Sequence, residues 1–423
     1  MSAYLPRIIE STITEKLQTV GCVVVRGPKW CGKTTTSHRF AKSYLELQDP
    51  AEGEKYRELA ENNINLLLQG NSPRLIDEWQ LIPNIWNAIR HDVDKRNAQG
   101  AYIITGSVTP NDRDKKNLHS GAGRMGFVTM YPMSLYESGD SNGSISLKAI
   151  LDGTAEVDGQ RSDITYERLA YLTCRGGWPS AVKIHDERIA LGTAREYLDV
   201  LCESDLEGSR KRINPALTRA IIRAYSRLAC TIESNRTLYD DVKALYGDVS
   251  DQTIASYIKV LQRLYVIEDV EAWNPNIISK TNMRTAPKKT LVDSSIACAA
   301  LQCSPDELAM DPLSFGLLFE NLVDRDLRVY ANSLGGYLRH YRDRYGLECD
   351  QVIHFANGEY ALIQTKLGTK KIKQATEKLI ELRDKIRSHD KKEPKFLMVV
   401  TGSDIAYTTK EGVLIVPIGC LRE

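Results

Sequence analysis

The chain contains no apolar run long enough to cross a bilayer, because Arg, Lys, Asp or Gly interrupts every candidate, and a membrane helix needs ~20 consecutive apolar residues. Its first residues, MSAYLPRIIESTITEK, carry no basic leader followed by an apolar stretch, so no secretory signal is expected. Cysteine pairing is missing as well. Nine cysteines (Cys22, Cys31, Cys174, Cys202, Cys230, Cys298, Cys303, Cys349 and Cys420) are scattered without a CxxC, and the count is odd. That argues against a disulfide framework or a zinc site and for a reducing compartment. The seven histidines form no metal-ligand spacing. A dominant charge sign is also absent, since 56 Lys and Arg stand against 55 Asp and Glu. Net charge therefore neither favours nor excludes a nucleic-acid partner. Together these absences lead us to expect a cytoplasmic protein with no membrane partner.

What is present is a globular composition: 42% hydrophobic and 26% charged residues over 423 positions, enough for two to four domains. Residues 21–26 (GCVVVR) predict a short buried strand and 34–47 (TTTSHRFAKSYLEL) a helix. PRLIDE at 73–78 and AYIITG at 101–106 predict further strands, with the helical pattern NIWNAIRHDVDK between them. Strands alternating with helices imply an α/β fold, a parallel sheet with helices on both faces. Residues 138–165, rich in Gly, Ser and Asp, read as a boundary. Helical patterns then run to about residue 270, and 287–293 (PKKTLVD) returns to strand-like texture. VIHFANGEYALIQTK predicts a hairpin turning at Ala356-Asn357-Gly358. IKQATEKLIELRDKI places Ile372, Ala375, Leu379, Leu382 and Ile386 at helical spacing. KFLMVV and GVLIVPI predict two more buried strands, so the C-terminal part is a second α/β unit.

The segment Gly27-Pro28-Lys29-Trp30-Cys31-Gly32-Lys33-Thr34 fits GxxxxGK[ST] in full, after a strand and before a helix. Glycines let successive backbone N–H groups curl around a phosphate. Lys33 is expected to reach the β- and γ-phosphates of ATP, Thr34 to ligate Mg²⁺ and Thr35 to donate to the α-phosphate. Downstream, an apolar strand ends in Asp77 and Glu78. Asp77 would hold the Mg²⁺ shell and Glu78 would polarise the attacking water. Ser107, at the end of Thr105-Gly106-Ser107, is a candidate γ-phosphate sensor, and Arg124 a candidate for stabilising transition-state charge. Acting in trans, Arg124 would need a neighbouring subunit. A water-activating Glu78 speaks against a small-molecule kinase.

With these motifs in view, GPKWCGKTTT, LIDEWQLIPNIWNAIRHDVD, YIITGS and GRM…YPMSLYE resemble a group of prokaryotic AAA-type P-loop ATPases with a C-terminal domain of unknown function. The resemblance continues through GGWPSAV, TIASYIKVLQRLYVIEDV, SFGLLFENLV and YRDRYGLECDQVI, so it covers nearly the whole chain. It implies an AAA-type ATPase domain at 1–145, a helical lid or linker at 146–210, a winged-helix domain at 211–290 and a PD-(D/E)XK nuclease-like, restriction-endonuclease-like domain at 291–423.

The helix QTIASYIKVLQRLYV, followed by IEDVEAW, is similar to the recognition helix and wing of a winged-helix domain. Ser256, Lys259 and Arg263 would then face a DNA groove. A packing module between ATPase and tail remains open. In the tail, Asp350 and, after the hairpin, Gln364 and Lys366 have the spacing of a PD-(D/E)XK core, with Gln in place of the middle carboxylate. Such a core uses carboxylates to hold Mg²⁺ and a lysine to steer water. Glu320 resembles the supporting helix acid, and Gln374 the polar residue at the start of the next helix. An amide oxygen brings no charge to a metal, so an active nuclease and a binding fold both stay open. The expected function is ATP hydrolysis that controls a C-terminal half acting on DNA or RNA. The alternative is a nucleotide-loaded switch that binds a protein partner through an inactive nuclease-like domain.

Overall fold

The computed structural model describes residues 4–107, 121–203, 214–276 and 285–423. The chain folds as two compact units. One comprises Pro6–Tyr131 with Val260–Val266; the other comprises Met1–Leu5, Pro132–Lys259 and Ile267–Glu423.

In the first unit, β1 (Cys22–Arg26), β2 (Ser43–Glu46), β3 (Arg74–Asp77), β4 (Tyr102–Gly106) and β5 (Met125–Thr129) form one sheet in the order β2-β3-β4-β1-β5. Every pairing in it is parallel. The strands read as apolar runs because both faces are covered. Cys22 and Val24 of β1, Ile76 of β3, and Tyr102 and Ile104 of β4 pack into one core, beneath Trp86 and Ile89 of the helix Ile85–Arg96. Val23, Val25, Leu75 and Ile103 pack into the other, with Ile13 of the helix Glu10–Thr19. Alternate residues along one strand thus feed opposite cores.

One expectation is corrected. Residues 34–47 are not a single helix: a helix at Lys33–His38 ends and the chain continues as β2. Lys42 N–H donates to the Pro73 carbonyl at 2.8 Å, starting the pairing with β3. From there burial alternates, with Leu45 and Leu47 buried and Glu46 exposed, the period of a strand.

In the second unit, β6 (Ile145–Ser146) pairs in parallel with β13 (Leu421–Arg422). Helices follow at Tyr166–Arg175, Glu187–Glu203, Pro215–Arg227, Asn235–Tyr246, Ser294–Leu301 and Pro312–Ser333, and the helix Asp251–Arg263 belongs to this unit up to Lys259. Then come β7 (Gly336–Arg342), β8 (Glu348–Phe355), β9 (Tyr360–Lys366), the helix Ile372–Arg387, β10 (Leu397–Thr401), β11 (Tyr407–Thr408) and β12 (Leu414–Pro417). Their sheet order is β11-β12-β10-β9-β8-β7. β7, β8 and β9 run antiparallel, whereas β9, β10 and β12 are parallel. The β8–β9 hairpin turns at the expected tripeptide, with Gly358 at φ +79°. The helix Ile372–Arg387 buries all five residues expected from spacing.

Two internal features tie this unit together. A Cβ on Gly177 would lie 2.0 Å from the Met133 carbonyl oxygen, and one on Gly176 would lie 2.3 Å from Asp293 Oδ1. Only glycine fits this GGW turn, where Trp178 stacks on Tyr197 and donates to Ser295 Oγ at 2.9 Å. Arg325, fully buried, bridges Asp293 at 3.0 Å and Asp326 at 2.7 Å. Asp326 in turn accepts from the Leu135 amide at 3.0 Å. Beside β7, residues after the helix Asp251–Arg263 form an antiparallel ribbon through Ile267–Leu291 and Val270–Lys288, and Ala272 pairs with His340 of β7. Among the described residues no helix is long and apolar enough to cross a membrane.

Candidate functional site

In a parallel sheet all strands end at the same edge. That edge gathers the loop after β1, the acidic pair after β3 and Thr105-Gly106-Ser107 after β4. The loop is shaped by its backbone. Gly27 has φ +150°, and a Cβ there would meet the Met130 carbonyl oxygen at 2.0 Å. Trp30 and Gly32 are left-handed at φ +66° and +98°. Such turns aim successive N–H groups into one concavity, an anion nest. Pro28 and Cys31 are buried, Lys29 is half-buried, and Thr35 is exposed. Lys33 bends back to donate to the Pro28 carbonyl at 2.8 Å. The loop is braced from behind by Arg7, whose guanidinium donates to the carbonyls of Cys31 and Tyr131 at 2.7 Å each.

Thr34 Oγ1 donates to Asp77 Oδ1 at 2.8 Å. Thr105 Oγ1 donates to the same carboxylate oxygen and accepts from the Glu78 amide at 3.2 Å. Gln48 Nε2 lies 3.4 Å from Asp77 Oδ2. Glu78 itself adopts φ +53°, ψ +51°, a costly conformation for a residue with a side chain and one that collects at functional sites. Its carboxylate accepts from Ser107 Oγ at 3.1 Å and from Gln80 Nε2. Thr34, Asp77, Glu78 and Ser107 therefore come together as expected. Thr105, Gln80 and Arg7 join them without having been anticipated. Two oxygen donors of the Mg²⁺-binding kind, Thr34 and Asp77, stand side by side, so the residues present fit that cation.

Arg124 is not brought to this edge. Its carbonyl accepts from the Cys22 amide at the start of β1, at 3.0 Å, and it directly precedes β5. It therefore sits at the opposite end of the parallel sheet from the loop, where it forms an exposed ion pair with Asp94. Acting on the nucleotide of its own chain is excluded by the strand direction.

The N-terminal unit is similar to AAA-type P-loop domains. Residues 20–139 match the family model "AAA domain". Residues 166–307 and 315–421 match two domains of unknown function, DUF8612 and DUF4143. Uncharacterized proteins of Mycobacterium tuberculosis and Mycobacterium bovis are each 25% identical over 291 residues, 68% of this chain. The chain spans 58% of the length of these relatives. Among solved structures, a Walker-type ATPase of Pyrococcus abyssi matches at 12% identity and TM-score 0.43, over 70% of this chain and 96% of that one. The Aeropyrum pernix ORC1 protein in complex with DNA matches at 13% identity and TM-score 0.27, over 71% and 94%.

A second constellation lies in the other unit. Asp350 Oδ2 accepts from Lys366 Nζ at 2.8 Å and from the Thr365 amide at 3.0 Å. Lys366 also donates to Gln364 Oε1 at 2.8 Å, and Gln364 Nε2 to the Glu348 carbonyl at 2.9 Å. Glu320 is reached from elsewhere. Lys288, of the ribbon beside β7, donates to Glu320 Oε1 at 2.7 Å, to Asp324 and to the Asp350 carbonyl at 2.9 Å. Gln351 Nε2 donates to Asp324 Oδ1 at 2.8 Å. Burial pushes the Glu320 carboxyl up to about 8 against the pull of Lys288, with Asp350 adding to the rise. Burial also pulls Lys288 down, but the Asp324 and Glu320 carboxylates outweigh it and hold the ammonium charged. Cys230 Sγ lies 3.8 Å from Asp324 Oδ2, and burial pushes its thiol far up, so it stays protonated. Glu320, Asp350, Gln364 and Lys366 are thus brought to one place, with Lys288, Asp324 and Gln351 as unanticipated members. Gln374 is exposed in the first turn of the next helix. On the helix Asp251–Arg263, Ser256 and Lys259 are exposed and Arg263 is half-buried.

Proposed function

We propose that the protein hydrolyses ATP at the loop Gly27–Thr34, and that the nucleotide state controls a C-terminal half acting on nucleic acid. The observation that carries the first part is the run of contacts from Thr34 through Asp77 and Thr105 to Glu78 and Ser107 at one sheet edge. Lys33 exchanges its bond to the Pro28 carbonyl for β- and γ-phosphate oxygens. Thr34 and Asp77 would hold Mg²⁺, which would supply neutralisation of phosphate charge when bound. Thr105 fixes the Asp77 carboxylate. Glu78 takes the proton of the attacking water, and Ser107 and Gln80 keep its carboxylate from rotating away.

For the second part, the helices Pro215–Arg227, Asn235–Tyr246 and Asp251–Arg263, followed by the antiparallel bridges Ile267–Leu291 and Val270–Lys288, support the winged-helix reading of 211–290. A helix, three antiparallel strands, a second helix and a parallel strand support the nuclease-like reading of 291–423. Exposed Ser256 and Lys259 suit a groove-facing helix. A second reading, a switch for a protein partner with an inactive nuclease-like domain, is favoured by Lys288 in the carboxylate cluster. The test is steady-state ATP turnover with and without DNA and RNA of different structures. Stimulation supports the nucleic-acid reading; turnover indifferent to every nucleic acid supports the protein-partner switch.

A further inference from the structure

A PD-(D/E)XK core is expected to hold a divalent cation between its helix acid and its strand carboxylate, and the residues here do not fit one. The ammonium of Lys288 lies 2.7 Å from Glu320 Oε1, 2.8 Å from Asp324 Oδ2, 3.1 Å from Asp324 Oδ1 and 2.9 Å from the Asp350 carbonyl oxygen. Its side chain is 3% exposed, and that of Asp324 is 0%. A divalent ion binds such oxygens at roughly 2.0–2.6 Å. An ion that close to Glu320 and Asp324 would overlap the nitrogen.

The lysine is held there by more than charge. Lys288 and Val270 exchange both backbone hydrogen bonds at 2.9 Å, and Ala272 two residues on is paired with His340 of β7. The other half of the cluster is closed in the same manner, because Lys366 is bonded to Asp350 Oδ2 and Gln364 Oε1 at 2.8 Å. Three carboxyl groups therefore face two ammonium groups, both donated by the chain itself. An isolated buried carboxylate is costly, and a paired one is retained.

We propose that Lys288 is the resident cation of this cluster, so that the C-terminal unit of the wild-type protein holds no divalent metal at Glu320, Asp324 and Asp350. This rests on the nuclease-like reading of that unit, and it makes the unit a binding fold whose carboxylates serve to fasten the paired segments 267–272 and 288–291 to the sheet. Phosphodiester cleavage by metal-bound water is then not its activity.

The experiment is a Mn²⁺ titration of the full-length, nucleotide-free protein, read by electron paramagnetic resonance. Wild type and Glu320→Gln are expected to bind the same number of ions. A wild-type ion lost in Glu320→Gln overturns the proposal. Removing the ammonium should open the position, so Lys288→Ala is expected to gain one Mn²⁺ site and a Mn²⁺-dependent rise in its thermal midpoint. If Lys288→Ala does not fold, Lys288→Ala with Asp324→Asn lowers the excess negative charge and is read in the same way. A folded variant that gains no ion also overturns the proposal. ATP turnover of the same preparations is a separate readout, so either result leaves the ATPase reading to stand or fall by itself.

Discussion

The hydroxyl of Thr105, on β4, is bonded to the carboxylate of Asp77, on the neighbouring β3. The same hydroxyl accepts the Glu78 amide at 3.2 Å, so a single side chain positions both acids of the pair. Thr105→Val keeps the shape and removes both bonds. An unsatisfied buried donor costs ~1–3 kcal/mol, so turnover is expected to fall by about tenfold to a hundredfold. ATP affinity, carried by the loop, should change less than threefold by titration calorimetry; a variant with wild-type turnover would show that Thr105 positions nothing.

In the proposed site, Lys33 would supply the main side-chain charge at the phosphates. Lys33→Ala is expected to weaken ATP binding by about a hundredfold, the scale of losing a charge-assisted contact. Calorimetry giving wild-type affinity would remove the loop as the nucleotide site.

Arg325 tests the framework of the second unit. It is 1% exposed and paired with Asp293 and Asp326. Arg325→Met leaves two carboxylates buried without a counter-charge, a loss of ~3–5 kcal/mol. Hydrogen exchange at the Leu172–Trp178 amides should accelerate accordingly, and unchanged protection there would contradict the assignment.

His340 gives a pH dependence. Burial, aided by the Lys288 ammonium and Arg342, pulls its imidazole down to about 4 from 6.5. The unfolded chain therefore binds the proton first as pH falls. This contribution is fully present above pH 6.5 and is lost as pH drops through about 4. Its size is on the order of 3 kcal/mol. His340→Gln, neutral throughout, should flatten this part of the thermal-midpoint profile; parallel wild-type and variant profiles would assign the acid sensitivity elsewhere.

The loop Gly27–Thr34 was legible because its residues are contiguous and its glycines have a fixed geometric duty. The helix Ile372–Arg387 was legible because burial follows helical spacing residue by residue. β2 was not, since SYLE continues a helix-like pattern and only the hydrogen bonds to β3 make it a strand. Thr105 was hidden by its own suitability for a strand, which gives a catalytic neighbour and a filler the same appearance. Arg124 was placed by motif proximity, and strand direction puts it at the far end of the sheet. Lys288 lies 32 residues from Glu320 and 62 from Asp350, a separation at which no local pattern reports contact.

Glu78 tests the central claim most directly. Gln at this position keeps the contacts to Ser107 and Gln80 within reach but cannot accept a proton from water. Glu78→Gln is expected to bind ATP with near wild-type affinity while steady-state turnover with Mg²⁺ falls by a factor on the order of a hundred or more. Turnover equal to wild type, measured on a variant that binds ATP normally, would contradict the assignment of Glu78 and with it the proposed route of hydrolysis.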